Sequence, residues 1–424
     1  CMVFIATAVF IAGVFLARQD LRMWPDQPPR FVLFAFLFAI LTMLVTIMQQ
    51  TNDAYAYTVT SEKHLAIQKV LSVVIIGSLF HLGELTLFTF FLHHFIVLGF
   101  IIVVWSFFLH RKGVRPFERK NKLSSGETRS YINEFYEFSH PLFVYSLVGL
   151  IAGIADRWLL QPFAGSVQQG FFGLAFRIGS VIFLFTSALT PLFIREFSIA
   201  WSAQNYERMR RFFNRLIPMF FFISSTMAIF VVVNGQAIVS LLGGSEFQQA
   251  GLVLMIMALY PIHQTYGQLN GAIYFATGRT KLYRNIGVLM RLLGLLTTFL
   301  LLAPSEYGGF GLGAVGLAGK MILIQFITVN LRLWFNARFL EISFFKVFIH
   351  QIITLTGLTV IALLSGFFIK TFTDNSVSYL IFSGVAYFLL VSIWILLFPR
   401  VIATNRLEII NNFKSLVQKL IHPQ

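Results

Sequence analysis

The chain has 424 residues, of which 57% are hydrophobic, 16% aromatic and only 12% charged, with a formal net charge of +15. Soluble domains carry about 25% charged residues, so the apolar patches that a water-exposed surface would have to display exclude an ordinary soluble globule. The basic residues are spread through short connections between apolar runs, which argues against a nucleic-acid surface and follows the positive-inside bias of membrane proteins. Cys1 is the single cysteine, leaving neither an intramolecular disulfide nor a thiolate metal centre.

A membrane span needs about 20 mostly apolar residues. Twelve candidate stretches emerge in chain order: 1–16, 30–48, 66–85, 88–108, 141–160, 171–194, 213–234, 249–277, 282–303, 312–336, 348–370 and 377–398. The first is short and opens on Cys1-Met2-Val3 with no charged leader or small-residue cleavage site, so the chain is expected to be an N-terminally incomplete fragment. The third, sixth and ninth carry polar residues at their boundaries or run into the next segment, so eleven spans would also fit. Arg111, Lys112, Arg115, Arg119, Lys120 and Lys122 place the 109–139 connection in the cytoplasm. Alternation then puts Arg208 to Arg215, Arg279 to Arg284, and Arg332, Arg338 and Lys346 on the same side, whereas the opposite loops 161–170, 235–248, 304–311 and 371–376 contain no lysine or arginine. Only 17–29, with Arg18 and Arg22, dissents. The tail from Val401, with Arg406, Lys414 and Lys419 among apolar residues, reads as an amphipathic interfacial helix, and 197–211 has a similar character.

The glycine-rich run 308–320 ends in Gly319-Lys320 but lacks the pattern of a phosphate-binding loop, because Ala314 and Met321 stand where a glycine and a hydroxyl residue are required. Its glycines, such as Gly309 and Gly313, read as points of close helix approach. His93 and His94 are adjacent on a helix and point in different directions, so they do not form a metal pair, and no nucleophile–base constellation suggests an enzyme.

Charges inside spans stand out, since each costs about 2.5 to 3.5 kcal/mol to insert. Asp156, Arg157, Arg177, Arg195, Glu196, Arg291 and Lys320 are the cases, with Arg291 and Lys320 near mid-depth. Basic groups outnumber acidic ones in this set, so a water-filled cationic cavity awaiting an anion is expected. Arg177 and Arg195 are also close enough to a boundary to snorkel, and Asp156 is expected to pair with a neighbouring arginine, Arg157 or Arg177, in one state and to release it in another. His263, Gln264, Tyr266, Gln268 and Asn270 interrupt a span just after Pro261 and suit either substrate contact or interhelical hydrogen bonding.

The segments Gly149-Leu-Ile-Ala-Gly-Ile-Ala-Asp-Arg-Trp, Gly170-Phe-Phe-Gly-Leu-Ala-Phe-Arg-Ile-Gly-Ser, Thr190-Pro-Leu-Phe-Ile-Arg-Glu-Phe and Tyr266-Gly-Gln-Leu-Asn-Gly, with the Ala276-Thr-Gly-Arg-Thr-Lys turn, resemble the polysaccharide-biosynthesis flippases of the multidrug/oligosaccharidyl-lipid/polysaccharide exporter superfamily. The resemblance implies an all-α, polytopic, two-lobed transporter with about twelve transmembrane helices in this fragment and the first two helices missing. It divides the chain into a partial N-terminal lobe (1–108), a basic cytoplasmic linker (109–140), a C-terminal lobe (141–336), two additional transmembrane helices (337–400) and an amphipathic cytoplasmic tail (401–424). It further implies a multi-pass protein of the bacterial inner membrane that flips an undecaprenyl-pyrophosphate-linked oligosaccharide for O-antigen, lipopolysaccharide or capsule biosynthesis. Partners would be this lipid-linked substrate, the bilayer and other polysaccharide assembly proteins, with no cofactor, metal or nucleic acid. Arg177, Arg291 and Lys320, with Asp156, Arg157, Gln264 and Asn270, form the expected substrate site. A peptidoglycan lipid-precursor flippase, a drug/cation antiporter and a membrane glycosyltransferase or polymerase are the alternatives; deep acidic residues would favour the antiporter, and a large extramembrane domain the enzyme.

Overall fold

Hydrocarbon offers no hydrogen-bonding partner to the backbone, so a chain that crosses it must satisfy its own amides, and helices do so within one segment. The computed structural model describes residues 29–114, 124–187, 189–373 and 375–404, and among these residues only helices and turns occur. The expected span 1–16, residues 115–123 of the basic linker and all but the first residues of the tail lie outside the described residues. Nine described helices are long and apolar enough to span a membrane, and the protein is a multi-pass membrane protein.

The chain forms two compact units, residues 1–123 and 124–424. In the first, α1 (Pro29–Ala54), α2 (Thr58–His81) and α3 (Leu87–Arg111) form successive hairpins, with α3 packed on both of the others. Helix α2 starts eight residues before the expected span, because Glu62 and Lys63 are accommodated in its first turns and the amide of Gln49 donates to Glu62 Oε1 at 3.3 Å across the hairpin. Interlocked rings of Phe31, Phe34, Phe91 and Phe95 fasten α1 to α3. His93 lies 2.8 Å from the Ser72 hydroxyl, which ties it to α2, while the His94 ring packs against Phe38 of α1.

The second unit opens with α4 (Ser125–Ser187), whose start is a reciprocal cap in which the Ser124 amide donates to Glu127 and the Glu127 amide donates to the Ser124 hydroxyl. Residues 125–140, expected within the linker, are thus the first turns of this helix. Gly165, at φ 83°, breaks α4 into α4a (residues 125–164) and α4b (residues 166–187), so the spans expected at 141–160 and 171–194 fall on either side of a break, the second running on into the helix that begins at Thr190. There follow α5 (Thr190–Ser202), α6 (Tyr206–Gly243), α7 (Ala250–Met257), α8 (Tyr260–Ala276), α9 (Thr280–Leu302), α10 (Gly313–Phe339), α11 (Phe344–Lys370) and α12 (Ser376–Leu397). The expected single span 249–277 is two helices, α7 and α8. Pro261 lacks the amide hydrogen that would continue α7, so the axis breaks at Ala258 and Leu259.

Helix α6 is the mast of this unit. At 38 residues it extends about 57 Å, and all three apolar cores use it. Phe213, Phe220 and Phe221 pack with α5, α8, α10 and α11; Val239 packs with α4 and α7; Phe222 and Ile229 pack with α11 and α12. The opposite faces of the outer helices display large apolar residues such as Phe345, Phe367 and Phe368, which suits a surface solvated by lipid.

The glycine-rich run makes the turn from α9 to α10. The amides of Phe310, Gly311 and Leu312 donate to the carbonyls of Leu300, Ala303 and Leu301, which the end of α9 leaves open. Gly308, Gly311 and Gly313 hold φ of 74°, 61° and 53°, a region costly for side-chain-bearing residues. A β-carbon at Gly309 would collide with the Ala303 carbonyl. Gly309→Ala is therefore expected to destabilise the protein by about 1–3 kcal/mol, read as an earlier thermal transition of the detergent-purified protein. An unshifted transition would contradict this packing.

Candidate functional site

Helices α4a, α9 and α10 pack closely along one seam, and charged side chains meet inside it. Lys320 of α10 donates to both oxygens of Asp156 on α4a, at 2.7 and 2.6 Å. The Thr298 hydroxyl of α9 lies 2.7 Å from Asp156 Oδ1 and 2.9 Å from the Gly294 carbonyl. Asp156 and Lys320 are only 8% and 6% exposed, so the pair is desolvated and depends on these contacts. Gly294, one turn before Thr298, leaves the gap through which the lysine stem passes: a β-carbon there would stand 3.1 Å from Lys320 Cε.

Arg291 lies seven residues before Thr298 on α9, two turns or about 10 Å along the axis on the same face. Its guanidinium packs over Gly149 of α4a and lies 6.0 Å from the centre of the Tyr145 ring. Unlike Lys320, it has no carboxylate within ion-pair distance among the described residues. A small cavity of about 50 Å3 connects these groups, lined by Tyr145, Asp156, Tyr260, Arg291, Lys320 and Gln325. Further along the seam, about 18 Å from Lys320 by helical rise, Arg332 of α10 is buried, stacked 3.6 Å from the centre of the Tyr283 ring and 5.4 Å from that of Tyr145.

The expected site is corrected in several respects. Asp156 pairs with neither Arg157 nor Arg177 but with Lys320, 164 positions away in the chain. Arg157, next to Asp156 on α4a, turns outward and lies 5.7 Å from the Phe176 ring, and Arg177 is exposed on α4b. Neither lines the cavity, and Lys320 is not a free cation, because Asp156 neutralises it. Gln264 accepts a 2.7 Å hydrogen bond from the cavity-lining Gln325 and so borders the site. Asn270 lies elsewhere. It is fully buried, and its carbonyl accepts from Asn336, whose own amide oxygen takes a 2.6 Å bond from Arg279, which makes it an interhelical tie between α8 and α10. The Thr190 hydroxyl donates to Gln268, which ties α5 to α8. Tyr145, Thr298 and Gln325 join the site without having been expected there, and Arg332 was read only as a marker of the cytoplasmic side. Among the described residues no group of three His, Cys, Asp or Glu side chains gathers around a possible metal position.

Removing one member of a buried ion pair strands the other and costs about 3–5 kcal/mol, whereas replacing both with neutral groups is far milder. Asp156→Asn and Lys320→Met are each expected to lower the thermal transition more than the double substitution does, and Thr298→Val to lower it by a smaller step, about 1 kcal/mol. Additive single effects in melts of the purified variants would mean that the pair is not coupled.

No protein-family model and no curated protein sequence matches the chain; the likeness to known proteins is carried by structure. A substituted form of the Vibrio cholerae MATE transporter VcmN aligns with a TM-score of 0.63 at 15% identity, covering 79% of this chain and 77% of that one. A substituted form of a MATE protein aligns at 0.65 and 11% identity over 80% and 77%. The lipid II flippase MurJ, in an inward closed conformation, aligns at 0.57 and 14% identity but over more of both chains, 92% and 82%. These neighbours are MATE transporters and a lipid II flippase, and the chain has their all-helical fold.

Proposed function

We propose that the protein is a transporter of the multidrug/oligosaccharidyl-lipid/polysaccharide exporter type that passes an undecaprenyl-pyrophosphate-linked oligosaccharide, an O-antigen or capsule repeat unit, from the cytoplasmic to the outer leaflet of a bacterial inner membrane. The observation that carries the reading is Arg291, a cation at mid-span on α9 that borders the cavity with no carboxylate partner among the described residues. A guanidinium in a low-dielectric site binds phosphate oxygens through paired, charge-assisted hydrogen bonds. A prenyl tail can stay in lipid while the head group follows the seam, and alternating access would expose the seam first to one side and then to the other. Lys320 then has a second role, since an arriving phosphate competes with Asp156 for its ammonium. The larger share of both chains covered in the match to a lipid flippase supports a lipid-linked cargo. The same match favours a second reading with the same head-group chemistry, transport of a peptidoglycan lipid precursor.

Expression in a strain lacking its own oligosaccharide flippase is expected to restore surface polysaccharide, and Arg291→Ala to reduce that restoration by about tenfold or more. Failure of the unsubstituted protein there, with rescue of a strain depleted of its lipid II flippase, would select the second reading. Failure in both strains would overturn the flippase assignment.

A further inference from the structure

Arg332 is the most deeply buried arginine of the seam, 4% exposed, yet it has no acidic partner. Its Nη2 donates to the Tyr283 carbonyl at a long 3.3 Å, its guanidinium stacks on the Tyr283 ring, and its Nε has no hydrogen-bond partner. Buried donors are nearly always satisfied, and a buried guanidinium more so, because its charge resists desolvation. An arginine needed only to mark the cytoplasmic side would snorkel into water. Here the side chain is held inward by two aromatic rings, Tyr283 and Tyr145.

Gly287 of α9 sets this guanidinium against the edge of the cavity, whose lining does not include Arg332. Gly287 itself lines the cavity, and a β-carbon there would overlap the Tyr145 ring and stand 2.7 Å from Arg332 Nη2. The missing side chain leaves Tyr145 between Arg291 and Arg332, each within 6.0 Å of the ring centre. The only carboxylate of the cavity lining, Asp156, is held by Lys320. Two arginines without acid partners therefore share one tyrosine at the inner part of the seam.

The geometry points to Arg332, Arg291 and Tyr145 as a diphosphate-binding site, in which Arg332 takes one phosphoryl group through Nε and Nη and Arg291 takes the other. Gly287 keeps the approach open. The inference rests on the anionic-cargo reading above and adds to it a site and a residue, Arg332. A diphosphate on a prenyl lipid and a free one share this chemistry.

The test uses the full chain in nanodiscs of uncharged phosphatidylcholine, titrated with inorganic pyrophosphate and, separately, with geranylgeranyl diphosphate, with affinity read by calorimetry. Binding is expected to weaken about tenfold or more in Arg332→Gln, as for the loss of a charge-assisted hydrogen bond. Gly287→Ala, which keeps every charge, should also weaken it. Arg338→Gln, on an arginine exposed beside Trp334, should leave it unchanged. If Arg332→Gln does not fold, Arg332→Lys decides: it keeps the charge but not the paired donors, and wild-type affinity in that variant overturns the proposal. Tighter binding of the prenyl diphosphate assigns the site to a lipid head group, and equal binding assigns it to free diphosphate. Weakening by Arg291→Gln with none by Arg332→Gln overturns the role of Arg332 and leaves the transport reading intact. Absence of binding to either probe overturns both.

Discussion

Burial of Asp156 against Lys320 is the constraint on which the seam depends. Neither charge is tolerable alone in a low-dielectric interior, since effective desolvation penalties are several kcal/mol per ion. Together, with the Thr298 hydroxyl, they bind α4a, α9 and α10 at one point. The register that brings them together is set elsewhere, by the glycine-rich turn that closes the end of α9 with its own amides and starts α10 at Gly313. Seven residues, two helical turns, then separate Gly313 from Lys320 and aim the ammonium past Gly294. Turn, glycine gap and ion pair form one mechanical unit.

Around that unit the packing is unequal. The α6 mast and its neighbours are filled by phenylalanines and leucines, and the polar groups among them serve as ties: Asn270 to Asn336 to Arg279, Tyr387 to the Thr226 carbonyl, and Thr190 to Gln268. Side chains in such an interior interdigitate and resist deformation. The seam instead holds a cavity of about 50 Å3 and an arginine, Arg332, whose Nε has no hydrogen-bond partner. The proposed alternating access finds its soft element there, where contacts are polar and exchangeable.

Hydropathy made the spans legible because lipid imposes one dominant requirement on every residue that faces it. It misled where that requirement is relaxed. Glu62 and Lys63 look like a loop but sit in the first turns of α2, and 249–277 looks continuous although Pro261 divides it. Arg291 and Lys320 stood out because mid-span charge is rare, but their partners did not. Asp156 and Lys320 are 164 positions apart, and sequence proximity favoured Arg157, whose next-residue position on a helix points it away from Asp156. Arg332 was hidden by the rule that revealed the topology, since an arginine near a span end satisfies the positive-inside bias whether it is in water or buried. The tyrosines at 145 and 283 and the glycine at 287 were the available signal, but their meaning depends on which helices meet.

The fold by itself leaves the sign of the cargo open, because related scaffolds carry chemically different substrates and function resides in the site. The seam contributes a sign. Along α4a, α9 and α10 the inward charges are Lys320, Arg291 and Arg332 against Asp156 alone, and Asp156 is already engaged with Lys320. An organic cation entering would meet two guanidiniums that have no carboxylate at ion-pair distance, where low dielectric magnifies repulsion. An anionic head group would meet the reverse, and the buried Nε of Arg332 would gain the partner that it lacks. The unfavourable burial of those arginines and the proposed capture of a phosphate are thus two views of one electrostatic imbalance.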